Sequence, residues 1–250
     1  MSCPVANIRW HLIEGAAGCA FARKNGLTAV VVDALRASAT AAMLFDAGAT
    51  EILAVREVAE ARTARREWPN ALLYGERGGL PPDGFDFGNS PRTVEAARGR
   101  RIIFTTTTGA GRLVDCWGAH AAYLGSTINA TAVAGAAAAH DREVVLIPAG
   151  LMSDPNFDAQ EDWVAATVIA MRSGCAIGEG RDTFAHWQRR IEQEGIETLF
   201  LSAPHAEKLR RVALDADITY CAQVDITTAV PTAVEDHPLG VILREAPHVE

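Results

Sequence analysis

"VVVDALRASATAAMLFDAGATEILAV", residues 30–55, decides the fold. Three valines run into Asp33, a stretch of small, helix-forming residues follows, and Gly48-Ala49 separates it from a second apolar run, "EILAV" (51–55). The order reads as strand, polar turn, helix, glycine stop and strand, because Gly48 can take the left-handed conformation that ends a helix. Where the first strand gives way to the helix stand Asp33, Arg36, Ser38 and Thr40: a carboxylate, a guanidinium and two hydroxyls.

The same kind of apolar run recurs in "LTAVVVD" (27–33), "RIIFTTTT" (101–108), "AAYLG" (121–125) and "REVVLIPAG" (142–150). Runs that are apolar throughout, rather than alternating, belong to strands covered on both faces. Helical patterns at 38–46, 58–68, 111–117 and 161–172 lie between them. The expectation is an α/β protein, a three-layer α/β/α sandwich with a largely parallel sheet. Residues 102–126, "IIFTTTTGAGRLVDCWGAHAAYLGS", echo the opening segment down to a Gly-Ala pair at 118–119. The chain therefore reads as one domain over 1–250, with room for two similar β-α-β subdomains dividing near 125–140. Repeated crossovers in any α/β fold could produce the same echo.

With 49% hydrophobic and 22% charged residues over 250 positions, the composition is that of a folded globular chain. A net charge of −8, with no basic cluster longer than Arg98, Arg100 and Arg101, argues against a nucleic-acid partner. Cysteines at 3, 19, 116, 175 and 221 show no C-x-x-C spacing, so reduced thiols and a cytoplasmic location are expected. The small-residue run 130–139 is far shorter than the roughly 20 residues a membrane span needs, and no membrane association is expected.

Ligands of open α/β sheets bind beyond the carboxyl ends of the strands, which places Asp33 and Thr105, Thr106, Thr107 and Thr108 in one candidate crevice. A helix N-terminus after Asp33 suits a phosphate, Arg36 can fork onto two of its oxygens, and Ser38 and Thr40 can donate to it. An acidic helix start with a surface arginine reads equally well from these residues alone. Gly109, directly behind the threonines, lets backbone approach a ligand. The loop "GERGGLPPDGFDFGNSP" (75–91) carries Glu76, Arg77, Asp83, Asp86, Asn89 and Ser90 and reads as a functional loop or a solvated connector. Glu161 and Asp162 open a helix, where acids are favoured by the dipole, and either could serve a magnesium ion needing only one or two carboxylates. Leu35 stands where a haloacid-dehalogenase-type phosphatase needs its second aspartate, no P-loop is present, and Gly109 with Gly111 is a weak dinucleotide signal.

The blocks "VVVDALRASAT", "YGERGG", "GFDFGNSP", "IIFTTTTGA", "GSTINATAVA" and "DITYCAQVDITTAVP", in this order from about Val30 to Pro231, resemble the 2-phosphosulfolactate phosphatase family. The resemblance implies a three-layer fold and a magnesium-dependent hydrolysis of 2-phosphosulfolactate to sulfolactate and phosphate. Carried across by position, Asp33 and Glu76 become metal or chemical carboxylates, with Glu161 or Asp162 beside them. Arg36, Thr105 to Thr108 and the Gly109 turn become phosphate contacts, and Asn89, Ser90 and Asn129 further lining. Arg77, Arg92 and Arg112 are the cations left for the sulfonate. The expected partner is a small anionic phosphorylated substrate, and a homodimer is the starting expectation for such an enzyme. Two segments depart from the family pattern: Thr108-Gly109-Ala110 stands where Asn-Gly-Thr is usual, and "LMSDPNFDAQ" (151–160) separates Gly150 from Glu161. They keep open a phosphatase of another phosphorylated hydroxy acid and a non-catalytic protein that binds a phosphorylated metabolite.

Overall fold

The computed structural model describes residues 8–154 and 156–246. The chain begins β1 (Arg9–Leu12), α1 (Gly15–Asn25), β2 (Thr28–Val32), α2 (Ala37–Asp46), β3 (Glu51–Val55), α3 (Val58–Glu67) and β4 (Leu72–Gly75). After the long loop come β5 (Arg101–Thr105), α4 (Gly109–Asp115), β6 (Ala121–Leu124), α5 (Ala130–Ala138), β7 (Val144–Pro148), α6 (Gln160–Ser173) and β8 (Ala176–Ile177). Four helices follow, α7 (Arg181–Glu194), α8 (Ile196–Leu201), α9 (Pro204–Arg210) and α10 (Asp215–Cys221), and the chain returns as a hairpin, β9 (Pro231–His237) and β10 (Gly240–Glu245). Among the described residues no helix is long and apolar enough to cross a membrane.

One sheet holds all these strands, in the order β4-β5-β3-β10-β9-β6-β2-β7-β1-β8. Pairing is parallel within β4-β5-β3 and within β6-β2-β7-β1-β8, so the α/β/α sandwich with a largely parallel sheet is the observed architecture. The β9–β10 hairpin joins the two groups through antiparallel pairings, Leu243 to Ile52 on one side and Tyr123 to Thr232 on the other. In a flat sheet the two groups would point in opposite directions. Residues just past the carboxyl ends of β2, β4 and β5 nevertheless line one cavity, which the right-handed twist of sheets allows.

Burial explains the apolar runs. Every residue of β2 is buried, Ala29 and Val31 against Cys19 and Ala22 of α1 and Leu113 of α4, Val30 and Val32 against α5 and α6. A core that includes Ile52, Ala54 and Phe104 of the first group and Val31 and Ile147 of the second runs through α4, tying the groups together. At roughly 1.5–3 kcal/mol for each large side chain removed from water, this shared core holds the two groups against each other. The Gly48 and Gly118 stops are both left-handed, at φ 94° and 93°.

Cys19, Cys116 and Cys221 are free, buried thiols. Cys175 is disulfide-bonded, which corrects the expectation of reduced thiols throughout, and Cys3 lies outside the described residues.

Candidate active site

The end of β2 delivers Asp33 into a turn that holds it by three hydrogen bonds. Its N–H donates to Ser38 Oγ at 3.0 Å, its carbonyl accepts from Ser38 N–H at 2.9 Å, and its carboxylate Oδ1 accepts from Ala37 N–H at 3.1 Å. Ser38 in turn donates to the Val31 carbonyl. The N-terminus of α2, expected to hold phosphate, thus spends its first N–H groups on Asp33 itself. Thr40 is fully buried behind this turn, away from the pocket.

Gly109 occupies its position for a reason the sequence did not supply. A Cβ there would lie 2.6 Å from both Asp33 Oδ2 and the Ala37 methyl. The start of α4 therefore closes on Asp33, and only glycine allows it.

Asp33 lines a cavity of about 310 Å³, within the range of small-molecule sites, together with Glu76, Asn89, Thr107, Thr108 and Asp162. The carboxylates come from both strand groups. Glu76, after β4, accepts from Gly79 N–H at 2.9 Å and Thr107 N–H at 2.7 Å, which fixes the GERGG loop to the threonine turn. Asp162, in the first turn of α6, accepts from Ala34 N–H at 2.8 Å and Gly150 N–H at 3.2 Å. Glu161 beside it is 1% exposed, with Oε1 3.1 Å from His205 Nδ1 and Oε2 without a partner among the described residues.

These carboxyls are electrostatically unbalanced. Burial pushes the Asp33 carboxyl up to about 6, Glu76 and Glu161 add to the rise, and His205 and the Ala37 N–H oppose it. Burial, then Glu161 and Asp33, hold Asp162 well above the ordinary carboxylate range. Burial alone would lower the His205 imidazole, but the Glu161 hydrogen bond and the surrounding carboxylates raise it.

Arg36 also lines the pocket, yet its guanidinium is committed. Nη1 donates to Asp217 Oδ2 at 2.5 Å and Nη2 to the Gly79 carbonyl at 2.9 Å. Ser90 donates to the other Asp217 oxygen at 2.9 Å, so Ser90 acts through this buried pair. Asn89 is 3% exposed, and its Oδ1 has no partner among the described residues.

Of the threonines, only Thr107 and Thr108 reach the cavity. Thr105 bridges Arg77 and the Arg56 carbonyl, and Thr106 accepts from Ala110 N–H at the start of α4. Asn129 accepts from Ser126 N–H and donates to the Ala229 carbonyl, a fully buried brace. Arg77 is spent on the Glu76 and Arg56 carbonyls, and Arg112 donates to the Ala149 carbonyl.

The profile of the 2-phosphosulpholactate phosphatase family matches residues 19–236. The chain belongs to that family. It is 37% identical to a protein of Deinococcus radiodurans over 86% of this chain and 91% of the relative. It is 31% identical to one of Pseudothermotoga lettingae over 87% of this chain and 92% of the relative. A Synechococcus relative is 35% identical over 86% and 91%. Each of the three is named a probable 2-phosphosulfolactate phosphatase.

Against the family pattern, the two departing segments prove to be neighbours. Met152 N–H reaches Thr108 Oγ1 at 3.4 Å, and a Cβ on Gly111 would lie 3.0 Å from Met152 Sδ. The altered turn and the longer linker pack on one another at one wall of the pocket. Sequence reasoning missed His205, Lys208, Arg211 and Asp217. The signal for the first three was a basic residue at every third position from 205 to 211 in an otherwise acidic chain.

Proposed function

We propose that this protein hydrolyses 2-phosphosulfolactate to sulfolactate and inorganic phosphate, with Mg²⁺ as its metal. The observation that carries the reading is Asp33: a buried carboxyl raised to about 6 at the floor of a pocket that Glu76 and Asp162 also line. Perturbed carboxyls in a cleft mark sites where a cation and a charged substrate are to be received.

The donor set fits magnesium. No three metal-ligating side chains converge among the described residues, but Asp33 Oδ2 accepts no hydrogen bond from them, and one or two carboxylates with water and phosphate oxygens suffice for this ion. Asp33 would hold it, with Glu76 or Asp162 beside it; Glu161, turned to His205, acts through that imidazole. When bound, the ion supplies charge neutralisation at the phosphoryl oxygens. The chain's own groups do the rest. Thr107, Thr108 and the Asn89 amide position the phosphoryl group, Arg36 braces the wall through Asp217 and the Gly79 carbonyl, and Leu35 and Leu151 exclude water. In an in-line displacement the bond from phosphorus to the C2 oxygen breaks, water's oxygen joins phosphorus, and sulfolactate leaves as its hydroxyl form.

We also place the protein in the cytoplasm, a reading that the three free buried thiols Cys19, Cys116 and Cys221 support and the disulfide at Cys175 opposes. The test of the function is phosphate release from racemic 2-phosphosulfolactate with Mg²⁺ and with EDTA. Magnesium-dependent release that is lost in Asp33→Asn is the expected outcome. Ligand binding without any release would overturn it in favour of a non-catalytic binding protein. A phospho-enzyme that disappears in Asp33→Asn would assign the attack on phosphorus to Asp33.

A further inference from the structure

The substrate of this reading carries two anions besides the phosphate, and the arginines expected to receive them are elsewhere. Arg77 and Arg112 are bound to backbone carbonyls, and Arg92 lies 4.0 Å from Asp217 outside the cavity lining. Another part of the lining is α9, whose His205 meets Glu161, and the residues just after it. Lys208 and Arg211 line the pocket there, together with Leu209 and Val212.

Among the described residues no acid pairs with Lys208. Its Nζ lies 4.0 Å from the centroid of the Phe157 ring, which also lines the pocket, an arrangement that steadies an ammonium while leaving its protons free. Glu207, the adjacent acid, pairs with Arg210 and Arg211 instead. The Arg211 contact, at 3.5 Å between exposed groups, is weak in water and readily exchanged. Lysine is otherwise rare: Lys24 and Lys208 are the two in the chain.

Resting on the hydrolase reading above, we propose that Lys208 and Arg211 form the subsite for the sulfonate of 2-phosphosulfolactate. The geometry of the substrate selects that anion. Its carboxylate is bonded to the phosphorylated carbon and stays beside the phosphate, whereas the sulfonate is one carbon farther out and reaches another part of the lining. A sulfonate spreads its charge over three oxygens, which the ammonium of Lys208 and the guanidinium of Arg211 can share. Lys208 and Arg211 are both exposed at the rim of the pocket, so the sulfonate would be met where it enters.

The two lysines allow a direct test. The protein is acetylated with an amine-selective ester, with and without sulfolactate, and modification at each lysine is followed by peptide mass. Lys24 lies in the last turn of α1, before β2 begins, at the opposite end of that strand from Asp33, and serves as internal reference. Sulfolactate should slow acetylation of Lys208 at least fivefold relative to Lys24, and lactate at equal concentration should not. No protection by sulfolactate, or equal protection by lactate, would overturn the assignment. In kinetics, the Lys208→Ala, Arg211→Ala double variant should lower kcat/KM for 2-phosphosulfolactate at least tenfold more than for 2-phospholactate. Lys208→Arg should restore most of the preference. An unchanged preference contradicts the proposal. If the wild-type protein hydrolyses neither compound, the hydrolase reading fails, while the acetylation result still decides the subsite.

Discussion

Asp33 and Arg36 stand on the same turn, yet the buried groups around them are balanced in opposite ways. Around Arg36, a guanidinium 2% exposed meets Asp217 at 1%, and Ser90 and the Gly79 carbonyl complete the shell. Around Asp33, three acids gather with one imidazole, and Glu161 Oε2 has no partner among the described residues. The first arrangement is satisfied by the chain alone and joins the turn after β2, the 75–91 loop and α10 into a wall. The second leaves negative charge that a cation and a phosphoryl group would complete.

Breaking the satisfied cluster should have the largest effect on stability. Asp217→Ala strands a buried guanidinium and should cost about 3–5 kcal/mol in urea unfolding. A loss under 1 kcal/mol would mean that the pair is not buried in solution. The unbalanced cluster should respond in the other direction. The Asp33 carboxyl is raised from 3.8 to about 6, so between those values the folded protein holds a proton the unfolded chain has released. Its contribution to stability is therefore full below about pH 4 and is lost as pH rises through 6, amounting to roughly 3 kcal/mol. Metal-free Asp33→Asn should escape this loss and unfold at higher denaturant than wild type at pH 8, with the difference closing by pH 4.

Gly109→Ala tests the contact between the two strand groups. A methyl 2.6 Å from Asp33 Oδ2 and Ala37 must displace α4, at a cost of about 1–3 kcal/mol and with phosphate release reduced. The smallest effect belongs to a solvated pair: Arg9→Ala, which removes the 2.7 Å contact with Glu143, should change stability by less than about 1 kcal/mol.

How much of this was legible follows from where the information is local. β2, β3, β5, β6 and β7 announce themselves because each is apolar along nearly its whole length. The hairpin is different: β9 is mostly exposed or half-buried, so Pro231–His237 has no apolar run to read, although it joins the two halves of the sheet. At the site, Asp33, Glu76, Asn89 and Thr107 sit in loops whose composition is itself a signal. Ser38, Thr105 and Asn129 have the right chemistry for a ligand, and their hydroxyls and amide are consumed by backbone partners that only tertiary structure reveals. Asp217, inside a helix far along the chain, has no local pattern marking it as the counter-charge of Arg36.

The most direct test of the comparison is a calorimetric titration of metal-free protein with Mg²⁺, run on wild type, Asp33→Asn and Asp217→Asn. The account predicts binding to wild type, at least tenfold weaker binding to Asp33→Asn, and retained binding to folded Asp217→Asn. Wild-type affinity in Asp33→Asn would contradict it, because the unbalanced carboxylates would then not be what receives the ion.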